Sequence, residues 1–149
     1  MASNISNQVD YDSIVSRIKS LSEHNQRKWG TMSVDQMLVH CSNQLKLGLS
    51  IIQQDTFEGP SIMRTKFGRW LLLYVLPWTR GLPTPSRMNM AKAPIVDLEP
   101  ERKVLLELLD QAQKDLKLHP HPFFGALNEK DWGRLIWKHI NYHLKQFGG

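Results

Sequence analysis

Asp131 to Phe147, DWGRLIWKHINYHLKQF, sets Trp132, Leu135, Ile136, Ile140 and Phe147 at the three-and-four spacing of a helix with one buried stripe. His139 and His143 fall inside that stripe, one turn apart on the same side. Imidazoles facing a core cost free energy unless each nitrogen has a partner. Backbone groups or water can supply partners one at a time. A divalent metal can take one nitrogen from each ring, because i,i+4 spacing presents two nitrogens to one ion. Just upstream, Asn128 with Asp131 stands where a helix cap belongs, and Gly148 stands where the helix must stop.

Three further amphipathic stretches read the same way. A first helix is expected from about Asp10 to Glu23, with Tyr11, Ile14, Val15, Ile18 and Leu21 as its stripe and Asp10 or Asp12 as its cap. Ser33, followed three residues later by Gln36, opens a second helix with a capping-box pattern and carries it to about Gln53. His40 shares the apolar side of that helix with Met37, Gln44 and Leu47, while Cys41 is turned about 100° away. The short link between these two predicts an antiparallel hairpin. Another helix starts near Pro100 with Leu105, Leu108, Leu109, Ala112 and Leu116 inward, and the loop LHPHPFFGALN leads on to Asn128.

Residues 55 to 97 have a different texture. Gly59, Pro60, Pro77, Gly81, Pro83, Pro85 and Pro94 break the chain repeatedly, and only Ile62 to Leu76 can form a helix. Its aromatic groups, Phe67, Trp70 and Tyr74, are expected to pack rather than to stack on bases. The fold class is therefore all-α: one domain over residues 1–149, a four-helix bundle with a long crossover containing a short helix between helices two and three.

One cysteine, Cys41, excludes an internal disulfide framework and fits a reducing cytoplasm. The N-terminal residues show no basic segment followed by an apolar one, and the longest apolar run, Trp70 to Trp78, is far below the roughly 20 residues of a membrane span. A soluble intracellular protein is expected. The net charge of +5 is uneven: between Glu58 and Asp97 there is no acidic residue but six basic ones, Arg64, Lys66, Arg69, Arg80, Arg87 and Lys92. Such a segment attracts anions or forms a solvated face, and Arg64, Lys66 and Arg69 are the candidates for an anion site.

In a bundle, His40 can face His139 and His143 across the core. Three neutral nitrogen ligands leave coordination positions open, which is the form of a catalytic rather than a closed structural site. His121, in the loop that enters the last helix, is a fourth ligand, a neighbour of the site, or a solvent-exposed side chain between two prolines. Gln44, one turn from His40, contacts a ligand or satisfies a buried polar position, and Trp132 is a further candidate for the pocket. Sharper signatures are absent. HINYH lacks the glutamate of HExxH, no Glu-xx-His pair suggests a di-iron site, and no phosphate- or dinucleotide-binding glycine pattern occurs. The side chains of His40 and Cys41 diverge, which argues against a cysteine–histidine nucleophile.

His40 on helix two, the HxxxH pair His139/His143 and the long crossover together resemble the DinB/YfiT-like metalloenzyme superfamily, and within it an uncharacterised branch, a domain of unknown function. The resemblance rests on WGTMSVDQMLVHC (Trp29 to Cys41) and HPFFGALNEKDWGRLIWKHINYHLKQFG (His121 to Gly148). It implies a three-histidine divalent metal site at His40, His139 and His143, with zinc or nickel the usual occupant, and dimers are frequent among relatives. Characterised relatives include thiol-dependent S-transferases and an isomerase that use a low-molecular-weight thiol. Many relatives carry a further histidine inside the HxxxH region, where this chain has Asn141 and Tyr142. The expectation is a metal-dependent enzyme, S-transferase-like or hydrolytic, acting on a small-molecule substrate. The alternative is a non-catalytic protein that binds a metal, a small ligand or an anion; nucleic acid is not the expected partner.

Overall fold

The computed structural model describes residues 1–81, 84 and 89–149; Pro83, Pro85 and Arg87 lie outside the described residues. Among these the chain is helical, with helices α1 Gln8–Ser20, α2 Val34–Gly48, α3 Lys66–Trp70, α4 Leu98–Lys114 and α5 Glu129–Gln146. There is no strand among them, only an isolated pairing of His121 with Gly125. No described helix is long and apolar enough to cross a membrane.

α2 packs on α4 and α5, and α1 packs on the same two helices. The core between them is aliphatic, with Ile14, Ile18, Leu38, Leu45, Leu109 and Leu135 all at most 1 % exposed. The expected α1–α2 hairpin is not the principal contact of either helix. The connecting residues 21–33 explain this, because they dock on the end of α5 instead. The Lys28 N–H donates to the Gln146 carbonyl at 2.7 Å, and the Asn25 amide donates to the Phe147 carbonyl at 3.3 Å. Arg102 of α4 closes the C-terminal end of α1. Its guanidinium donates to the carbonyls of Ile18, Lys19 and Leu21 at 2.5–2.7 Å, satisfying oxygens that a helix end leaves unpaired.

Boundaries differ from expectation where a local hydrogen bond outcompetes periodicity. Asn7, rather than Asp10 or Asp12, caps α1 by accepting the Asp10 N–H at 3.1 Å. α2 ends at Gly48 rather than near Gln53, because Ser50 takes a left-handed conformation (φ 57°) and the N–H groups of Ile51 and Ile52 fold back onto the Lys46 carbonyl. Gln36 accepts the Ser33 N–H at 2.9 Å, as its place in the sequence predicts. Asn128 caps α5 by accepting the Asp131 N–H at 2.8 Å.

The expected helix Ile62 to Leu76 is three short pieces: a 3₁₀ turn at Ser61–Arg64, then α3, then a π-helical turn at Leu71–Val75. Thr65 interrupts the first two, extended in backbone and capping α3 by accepting the Gly68 N–H at 3.0 Å. The 3₁₀ turn lies so close to α3 that a Cβ at Gly68 would collide with the Ile62 carbonyl oxygen. Packing of the aromatic groups is only partial here. Phe67 and Trp70 stay 60 % and 52 % exposed, whereas Tyr74 is half-buried and donates its hydroxyl to Asp131 at 2.7 Å. The return limb is tied to the start of α2: the Gln36 amide donates to the Ala93 carbonyl at 2.6 Å, and Asp35 accepts the Val96 N–H at 3.0 Å.

Candidate metal centre and its cavity

α2 and α5 bring three imidazoles together. The ring centres of His40, His139 and His143 form a nearly equilateral triangle with sides of 4.8, 4.7 and 4.7 Å. Each offers a ring nitrogen within 4.8 Å of the others, and His40 Nε2 lies 2.8 Å from His139 Nε2. His40 and His143 are buried, and His139 keeps part of its ring open to a cavity of about 280 Å³. Burial, and then the neighbouring His40 ring, lower the pKa of His143 to about 3; its hydrogen bond with Gln146 opposes them. Burial, His143 and His40 hold that of His139 well below its ordinary value. Both rings are therefore neutral at pH 7 and carry a lone pair.

The hydrogen bonds around His143 say which nitrogen carries it. Gln146 donates its amide N–H to the Trp29 carbonyl at 2.7 Å, which directs its Oε1 at His143 Nδ1, 2.8 Å away. An amide oxygen only accepts, so Nδ1 holds the proton and Nε2 is the free donor atom. Gly30 makes this possible: it has φ +82°, and a Cβ there would collide with the Gln146 amide. His139 Nδ1, by contrast, is buried without a hydrogen-bond partner among the described residues.

Sequence position alone did not single out Gln146, Trp29, Gly30, Trp78 or Tyr142. Gln146 stands one turn beyond His143, the one spacing signal that could have marked it. Trp78 and Tyr142 stand against the triangle, with ring centres 6.4 Å from His139 and 5.1 Å from His143 respectively, and the Trp29 indole N–H donates to the Tyr142 hydroxyl at 3.1 Å. Lys138, next to His139 but turned away, fastens the crossover. Its ammonium donates to the carbonyls of Leu72 and Leu76, each at 2.6 Å, and Leu72 and Trp78 of that segment line the cavity.

The remaining candidates are distributed as follows. Gln44 lines the cavity. His121 lines it too but stands outside the histidine triangle. Trp132 is fully buried behind His121, with ring centres 5.6 Å apart, and donates its indole N–H to the His119 carbonyl at 3.1 Å. Arg64 donates to the Glu58 carbonyl at 3.2 Å and Arg69 to the Arg64 carbonyl at 2.6 Å, while Lys66 is exposed; none of the three lines the cavity. Cys41 is buried beside Met37, and burial pushes its thiol pKa up, so it is no nucleophile.

No curated protein and no solved structure gives a significant match to this chain. A family model described as "Protein of unknown function (DUF1569)" matches residues 6–148. With nearly its whole length spanned, the chain belongs to the DUF1569 family.

Proposed function

We propose that His40, His139 and His143 hold a divalent metal ion, zinc or nickel, and that the protein is a metal-dependent enzyme acting on a small molecule in the adjoining cavity. The observation that carries this is the histidine triangle itself: three imidazoles from two helices, one with its tautomer fixed from behind, meeting at a cavity rather than in a closed core. The donor set fits such an ion, because neutral imidazole suits zinc and nickel and, among the described residues, no carboxylate or thiolate joins the cluster. Three protein ligands also leave room for a further one. When bound, the metal would lower the pKa of a water or thiol and so supply a nucleophile at neutral pH. The chain's own part is to hold the His143 ring in place through Gln146 and to keep bulk water away with Trp29, Trp78 and Tyr142.

The same reading takes the fold as a bundle of the DinB/YfiT-like kind and the protein as a cytoplasmic homodimer, S-transferase-like with a low-molecular-weight thiol, or hydrolytic. The sequence resemblance supports the dimer and the thiol, and a single buried cysteine supports a reducing compartment. An anion received by Arg64, Lys66 and Arg69 would sit outside the cavity.

Thermal unfolding with and without metal tests the site. A ligand that binds only the folded state at a hundredfold excess over its Kd stabilises by about 2.7 kcal/mol. For a domain of this size that raises Tm by about 5–10 °C. Zinc or nickel is expected to produce such a rise, EDTA to reverse it, and His143→Ala to abolish it. An unchanged Tm with both ions contradicts the proposal.

A further inference from the structure

The crossover leaves an apolar face uncovered. Phe57, Ile62, Phe67 and Trp70 are each 52–60 % exposed, and Val75 follows at 49 %. Contacts join them into one face. Phe67 and Trp70, three residues apart on α3, bring their ring centres to 6.0 Å. In the π-helical turn that follows, the Leu76 N–H donates to the Leu71 carbonyl, five residues back, at 2.8 Å. That spacing brings Val75 round beside Trp70. Towards the other end, the 3₁₀ turn that carries Ile62 lies against Gly68 of α3. The Arg64 guanidinium stands over the Phe57 ring, 5.1 Å from its centre. The inner side of the same segment is seated on the bundle through Leu73, which is fully buried. A helical segment that is apolar on both sides belongs in a core or against an apolar phase, and here the bundle covers only one side.

Cations border this face. Lys66 is exposed next to Phe67. Arg64 and Arg69 are pinned at the edge by donating to the carbonyls of Glu58, Arg64 and Phe124, which fixes their place and leaves their charge. Residues 59–96 contain no aspartate or glutamate. The ion pairs among the described residues lie on α4 and the stretch just after it, away from the crossover. Charge and apolar surface together select the occupant. Two copies meeting here about a twofold axis would set the same cations against each other. An anionic lipid surface answers both features. Its headgroup boundary takes aromatic and aliphatic side chains, while its phosphates meet lysine and arginine heads on long apolar stems.

We propose that the exposed face of α3 and the π-helical turn docks the protein peripherally on an anionic lipid bilayer, with Phe67 and Trp70 as anchors and Lys66 and Arg69 as the cations. No spanning helix is needed, and nothing is drawn from a metal. Leu72 and Trp78 of the same segment line the cavity, so the docked segment is also one of its walls.

Co-sedimentation of the full chain, made without a tag, with phosphatidylcholine vesicles that contain or lack phosphatidylglycerol tests this. Wild type is expected to bind the anionic vesicles, less so as salt is added, and to leave the neutral ones in large part unbound. Lys66→Ala weakens binding about fivefold. A Phe67→Ser/Trp70→Ser double variant weakens it at least about tenfold, with circular dichroism and Tm unchanged because both side chains are exposed. Brominated lipids locate the contact without relying on a loss of binding: they should quench the tryptophan fluorescence of bound wild type, and Trp70→Phe should bind but lose most of the quenching. No binding of wild type to anionic vesicles, binding indifferent to phosphatidylglycerol, full binding by the double variant, or quenching unchanged in Trp70→Phe overturns the proposal. So does a wild-type dimer that the double variant dissociates, which would make the face a contact between copies.

Discussion

Moving the metal-free protein from pH 7 to pH 5 is expected to remove about 4 kcal/mol of folding stability. Burial lowers the pKa of His121 and that of His143 to about 3, His40 adding to it at His143, while an unfolded histidine titrates near 6.5. The folded state therefore binds fewer protons than the unfolded chain everywhere between these values. The contribution of each neutral ring is fully present above pH 6.5 and is lost as pH falls toward 3. Each ring costs about 1.4 kcal/mol per pH unit across that window, so two rings over about 1.5 units give the stated loss. His139, lowered in the same direction, adds to it. Against a typical total of about 5–15 kcal/mol this is a large fraction. Urea unfolding at the two pH values measures it, and His121→Phe should flatten the dependence by one ring's share. Equal stability at pH 7 and pH 5 would mean that these rings are protonated or solvated in the folded protein.

Lys138→Met is expected to destabilise the protein by about 1–3 kcal/mol and to loosen the cavity's crossover wall before it disturbs the histidines. The side chain is 7 % exposed, and its ammonium donates to the carbonyls of Leu72 and Leu76, with the Leu73 carbonyl at 3.3 Å. The ring of Trp78 stands 5.5 Å from the same nitrogen. Burial and the nearby Arg134 bring its pKa down to about 8, so the group is still largely charged at pH 7. Methionine keeps most of the packing, and the Leu72 and Leu73 carbonyls keep the Trp78 indole N–H at 3.0 Å and the Arg134 Nε–H at 2.8 Å. The Leu76 carbonyl, however, loses the ammonium, and an acceptor left unpaired costs about 1–3 kcal/mol. Hydrogen exchange should accelerate at least about tenfold across residues 71–78, while zinc stoichiometry stays that of the wild type. Unchanged exchange with stability within about 0.5 kcal/mol of wild type would show that the ammonium is not what holds the crossover.

α5 was legible in full, because its stripe, its Asn128 cap and its terminal Gly148 all act within the segment itself. His40, His139 and His143 were legible as a group because two lie one turn apart on a helix and the third lies on an apolar helical face. What escaped depends on contacts between segments far apart in the chain. Gln146 orients His143 only because residues 21–33 fold back to α5 and offer the Trp29 carbonyl. The end of α2 turns on one left-handed residue, Ser50, which no periodicity encodes. His121 was left between three roles because its tautomer is set by the N–H groups of Phe123 and Phe124, which enter no side-chain pattern. Arg64 and Arg69 read as candidate cations for an anion; in the fold their guanidinium groups also donate to backbone carbonyls, contacts that no side-chain pattern encodes.

The central claim, a metal held by His40, His139 and His143, is tested most directly by elemental mass spectrometry of protein made without a histidine tag, beside a His139→Ala/His143→Ala double variant. About one zinc or nickel per chain in the wild type, lost in a double variant that remains folded, is the predicted result. A wild type that holds no metal even after reconstitution with either ion, or a double variant that retains it, contradicts the account.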